Sequence, residues 1–142
     1  MMCAVDAPAS CAAEVSEQTW IGTWSAAPEM LVGAGQYNDQ TLRMIVHTSM
    51  GGNRLRIKIS NTFGSQSLII GTAHVALREA GARIVPGTDR ALLFGGNSSF
   101  TIPSGALAVS DPVYLDVPAL SDLAVSIYLP TLSTTSTTHL VA

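Results

Sequence analysis

The sequence is short of charge. Lys, Arg, Asp and Glu together make up 12% of its 142 residues, and the formal net charge is −3. A surface that neutralises phosphates needs an excess of Lys and Arg, which argues against nucleic acid as a general partner and disfavours anionic membrane surfaces. Aromatic residues are also scarce, at 6%. Gly, Ser or charged residues break every apolar run well before the roughly 20 residues a spanning helix needs, and no membrane span is expected.

Only two cysteines occur, Cys3 and Cys11. They are compatible with pairing in an oxidising compartment, with lipid attachment at Cys11, or with free thiols, but not with a zinc site, for which no ligand partners stand nearby. Elsewhere no cluster of His, Cys, Asp and Glu matches zinc or calcium spacing, and no glycine-rich loop leads into a helix. Neither metal nor cofactor is expected.

What the chain does have is apolar content, at 47% with a mean hydropathy of +0.34, which sets it apart from a disordered segment. A chain of this length buries roughly two-thirds of its surface on folding, so one core suffices. The first stretch carries no hydrophobic periodicity and no basic region followed by an apolar one, so it is not an intact signal peptide. Residues 1–18 are expected to be a disordered or leader-like tail, and 19–142 one domain.

From Thr19 onward short segments of period two alternate with Gly, Pro, Asn and Ser clusters, and no helical period stands out. The clearest strand is 54–60, with Leu55, Ile57 and Ile59 on one face and Arg54, Arg56, Lys58 and Ser60 on the other. Before it, 41–48 alternates Leu42, Met44 and Val46 against Arg43, Ile45 and His47. The glycines of Ser49-Met50-Gly51-Gly52-Asn53 suit a tight reversal, so these two strands are expected to form an antiparallel hairpin. Further strands are read at 72–78, 113–117 and 123–129, with weaker ones at 82–85, 92–94, 98–102 and 106–109. Strands recurring roughly every ten residues, each with one apolar face, call for an all-β, antiparallel two-layer β-sandwich of jelly-roll type. A closed barrel is the alternative, because strand order is not fixed by sequence.

Acyl transfer needs a nucleophile, a base within reach and oxyanion donors. His47 and His74 fall on outward strand faces, and His139 lies in the last four residues. Ser65 sits in a turn without a G-x-S-x-G elbow or a following helix. Tyr37-Asn38-Asp39 precedes the first clear strand and reads as loop chemistry. Asp111 precedes Pro112 in a turn and Asp116 faces outward, so they are not a carboxylate pair across a cleft. No catalytic residue is assigned.

The basic row Arg54, Arg56 and Lys58, joined by Arg43 across the expected hairpin, is the strongest charge feature. A solvated sheet face is its ordinary fate, and a docking surface for an acidic domain or polyanionic glycan is the functional one. Trp20 and Trp24, four residues apart in an extended segment, are expected on one face, where they would either pack in the core or form a sugar-stacking platform.

The run WIGTWSAAP at 20–28 resembles the opening of the N-terminal domain of bacterial SGNH/GDSL hydrolases. TLRMIVHTS at 41–49, Gly51-Gly52, RLRIKISN at 54–61 and Phe63-Gly64 are similar to that group's first hairpin. IGTAHVA at 70–76, PGTDR at 86–90, LFGG at 93–96, IPSGA at 102–106, SDPV at 110–113 and DLAVSIYLP at 122–130 extend the resemblance over most of 20–139. In that family a β-sandwich precedes an α/β catalytic domain with a Gly-Asp-Ser nucleophile motif and a distal Asp-x-x-His pair, and none of those blocks occurs here. The resemblance therefore implies a non-catalytic accessory domain, secreted or periplasmic, truncated before a downstream catalytic domain of the same polypeptide that would be its partner. A carbohydrate-binding module with polysaccharide as partner is the alternative.

Overall fold

In the computed structural model the described residues are 1–6, 19–30, 35–134 and 137–138. They form sixteen strands: β1 Met2–Asp6, β2 Trp20–Ser25, β3 Glu29–Met30, β4 Gln36–Tyr37, β5 Gln40–His47, β6 Gly52–Ser60, β7 Leu68–Ile70, β8 Thr72–Ala80, β9 Arg83–Ile84, β10 Arg90–Leu92, β11 Phe100–Ile102, β12 Leu107–Val109, β13 Val113–Val117, β14 Asp122–Leu129, β15 Ser133–Thr134 and β16 Thr137–Thr138. No described residue is helical, so among the described residues no helix is long and apolar enough to cross a membrane.

Two five-stranded antiparallel sheets make the body. In the first, β2, β1 and β6 lie side by side, and β12 and β13 share the other edge of β6. In the second the order is β10-β8-β14-β5, with β9 on the end of β8. The inward residues of both sheets meet in one core. Val5, Leu55, Ile57, Leu115 and Val117 come from the first sheet, and Val46, Val75, Leu92, Leu123, Val125 and Leu129 from the second. Each such aliphatic side chain contributes roughly 1.5–3 kcal/mol on burial. The alternation read from the sequence is what lets each sheet present one apolar face, and the fold is the expected all-β sandwich.

Two expectations need correction. The segment read as a tail begins with a strand: β1 lies between β2 and β6, bonded to both, and Cys3 and Val5 are fully buried. Met2–Asp6 is only five residues long, too short to show periodicity against an Ala-rich background, and its strand character comes from the two neighbours that flank it. Residues 7–18, with Cys11, lie outside the described residues.

The second correction concerns the hairpin. β5 pairs along its length with β14, from Gln40↔Leu129 to His47↔Asp122, whereas β6 belongs to the other sheet. The glycine-bearing connection between them is a corner from one layer to the other. Thr48, fully buried, donates its hydroxyl to Ser121 O at 2.9 Å. Ser49 donates to Thr23 O, and the Thr23 hydroxyl bonds both the O and the N of Met50. Gly51 completes the corner, since a β-carbon there would lie 2.5 Å from Val117 O and 2.7 Å from Ala119 N. Turn residues mark a reversal but do not say which layer the chain enters next.

Candidate functional site

The outward face of the first sheet gathers most of the residues singled out from the sequence. Alternation along β6 turns Leu55, Ile57 and Ile59 into the core and leaves Arg54, Arg56 and Lys58 on the outside, half-buried. The Arg56 guanidinium carbon lies 4.7 Å from the centroid of the Trp20 ring. That of Arg54 lies 5.7 Å from Trp20 and 5.2 Å from Tyr114. Tyr114, 68% exposed, stands opposite Arg54 on the neighbouring strand. The result is a row of stacked cations and rings across the sheet, in which each guanidinium is attracted to the negative face of an aromatic system.

Trp24 is not part of it. β2 carries a bulge: Cys3 pairs with Trp24 and Ala4 with Gly22, so Thr23 has no partner on β1. An extra residue reverses the facing of everything beyond it. Trp20 thus shares the outer face with Arg54 and Arg56, while Trp24 packs against the core. The bulge has a visible cause, because Thr23 turns inward, 4% exposed, to bind Met50 at the corner. The expected pair of tryptophans on one face is therefore not formed.

Arg43 is also elsewhere. It lies on β5 in the second sheet, where its Nε donates to Ser126 Oγ at 2.9 Å and its Nη1 to Ala82 O. Arg78 donates from Nε to Gly81 O and from Nη1 to Asp122 Oδ2 at 2.6 Å. Together they fasten the Gly81-Ala82 turn to the outer face of that sheet.

Tyr114 went unrecognised in the sequence. Its outward direction follows from buried Leu115 and Val117 beside it, but its place next to Arg54 depends on β13 pairing with β6, which no local pattern encodes.

The second sheet holds two Asp–His pairs. His47 Nδ1 lies 2.7 Å from Asp122 Oδ1, and His74 Nδ1 lies 2.9 Å from Asp89 Oδ2. His47 and Arg78 hold the Asp122 carboxyl below its ordinary range, the hydrogen bond from His47 contributing most. Asp39 accepts from the Tyr128 hydroxyl at 2.7 Å, which pushes that phenol up. Asp111 accepts the backbone N–H groups of Gly95 and Gly96, both at positive φ, and so closes a turn. Asp116 is exposed on β13. Ser65 lies in a bend, and Cys3 is a buried free thiol whose pKa burial pushes up to about 12. His139 lies outside the described residues. Among the described residues no group of three or more His, Cys, Asp or Glu could hold a metal ion.

No protein-family model matches the chain, and no curated protein matches it significantly.

Proposed function

We propose that this chain is a non-catalytic accessory domain of a secreted or periplasmic SGNH/GDSL-type serine esterase, packing on the catalytic domain of the same polypeptide. The observation that carries the reading is the all-β sandwich formed by the described residues, the architecture that the resemblance to that hydrolase group implies. His47 and His74 are each tied by Nδ1 to a carboxylate, Asp122 and Asp89, on the second sheet. The only described thiol, Cys3, is buried and held protonated. The resemblance of 20–139 to the N-terminal domain of that hydrolase group adds to this.

Two measurements test it. Reading the coding DNA beyond Ala142 is expected to reveal a continuous frame with a Gly-Asp-Ser motif and a distal Asp-x-x-His. The 142-residue chain alone is expected to leave a short-chain aryl ester intact. Hydrolysis abolished by His47→Ala or His74→Ala would overturn the reading.

A second reading, a glycan-binding module, is favoured by the outer face of the first sheet, where Trp20 and exposed Tyr114 flank Arg54. Aromatic and cationic groups held together on a sheet suit polymer recognition. Loss of polysaccharide retention in Trp20→Ala and Tyr114→Ala variants that still fold would establish it.

A further inference from the structure

The chain carries net negative charge, but its cations are not equally engaged. Arg43 and Arg90 donate to backbone or hydroxyl oxygens, Arg78 pairs with Asp122 and Arg83 with Glu79. Arg54 stacks between Trp20 and Tyr114 and has a further interaction of its own. Among the described residues, Arg56 and Lys58 have neither a hydrogen bond nor an ion pair, and the buried Nε of Arg56 has no acceptor there. Both stand on the outer face of β6, in line with Arg54.

Three features of this face identify what would neutralise Arg56 and Lys58. Arg56 and Lys58 stand two positions apart on β6, so their backbones lie about 6.8 Å apart along the outer face. A linear polymer with repeated anions can meet both cations at once along the strand. Next, both guanidinium groups lie over the Trp20 ring. The indole therefore backs the cations rather than offering a bare platform to a neutral sugar. A guanidinium held over a ring still presents its planar fork of donors, which is matched to a carboxylate. Finally, acidic residues bound this pair of cations at the Gly52 end: Asp6 stands opposite Arg54 on β1, and exposed Asp116 lies on β13 two residues beyond Tyr114.

We propose that the outer face of the first sheet binds a linear, carboxylate-bearing polysaccharide, with Arg56 and Lys58 pairing its carboxylates and Trp20 and Tyr114 holding the guanidinium groups in place. This rests on the glycan-binding reading above and names its ligand class.

The test is affinity electrophoresis of the whole 142-residue chain through gels containing polygalacturonate, neutral hydroxyethylcellulose or polyaspartate. Retardation is expected in polygalacturonate alone, weakening about tenfold when sodium chloride is raised to about 0.5 M. Arg56→Lys, which keeps the charge and removes the fork, is expected to weaken it about fivefold. Lys58→Gln should act similarly, and Arg83→Gln should have no effect; thermal melts check that each variant is folded. Equal retardation by hydroxyethylcellulose would overturn the acidic ligand while leaving glycan binding in place. No retardation by either polysaccharide would overturn both. Equal retardation by polyaspartate would assign the face to an acidic protein instead, and polygalacturonate binding indifferent to Arg56→Lys and Lys58→Gln would overturn the location.

Discussion

Gly64 approaches Asn61 so closely that a β-carbon at position 64 would overlap Asn61 Oδ1 and lie 2.6 Å from its Cγ. Asn61 has no room to move away. It is 6% exposed, and its Nδ2 is within donating distance of Gln66 O at 2.8 Å, Ile102 O at 3.1 Å and Pro103 O at 3.2 Å. One buried amide thus joins the end of β6 to the loop before β7 and to the end of β11. Gly64→Ala is expected to cost about 2–3 kcal/mol in urea unfolding, as an overpacked site that also disturbs buried hydrogen bonds. Asn61→Ala should cost about the same, by leaving carbonyls without their donor. In the double variant the clash disappears with the amide, so the two costs should add to clearly less than their sum.

The corner between the layers gives the second prediction. The Thr23 hydroxyl bonds both Met50 O, at 2.8 Å, and Met50 N, at 2.9 Å. Thr23→Val keeps the volume and removes both bonds in a buried place, and should cost about 2 kcal/mol. The bulge that separates the facing of Trp20 and Trp24 is anchored by this contact. The same variant is therefore expected to shift the tryptophan emission maximum before global unfolding begins, whereas Thr88→Val, remote from the bulge, should not.

The second sheet predicts a pH dependence. Asp122 has its folded pKa depressed by His47 and Arg78. Its ionised form therefore adds stability that is fully present above the unfolded carboxylate value of about 3.9, and is lost as the pH falls through the lower folded value. Asp122 is partly open to solvent, with 32% of its side chain exposed, so the contribution is about 1 kcal/mol or less after screening. Asp122→Asn should be less stable than the parent at neutral pH, and the gap should close in acid. A gap that persisted below pH about 2 would mean that packing, not charge, set it.

How much of this was legible in the sequence follows from the range of the interactions. The inward and outward sets of β5, β6, β8, β13 and β14 are local, set by a period of two, and the sandwich follows from them. The basic row on β6 was visible for the same reason. What could not be read depends on partners far along the chain. Arg43 and Arg54 look like neighbours across a hairpin, yet β5 lies with β14 and β6 with β1. Trp20 and Trp24 share a parity that one unpaired residue, Thr23, undoes. Tyr114 reaches the site only because β13 docks on β6.

The last prediction separates β1 from the tail the sequence suggested. Cys3 is fully buried between β2 and β6, and burial pushes its thiol up to about 12, so almost no thiolate exists at neutral pH. A thiol reacts as its thiolate, and only when reagent reaches it. In a Cys11→Ser variant, which leaves Cys3 as the sole cysteine, maleimide labelling followed by mass spectrometry should be negligible in buffer. It should rise together with the urea unfolding transition, because β1 sits between two paired strands and leaves only when the sheet opens. Val5→Asp, which places a charge at another fully buried position of the same strand, should bring labelling into native buffer and cost several kcal/mol. A tail would be labelled at once in both variants and would not respond to Val5→Asp. Rapid labelling of Cys3 in the otherwise folded Cys11→Ser protein would therefore remove β1 from the first sheet.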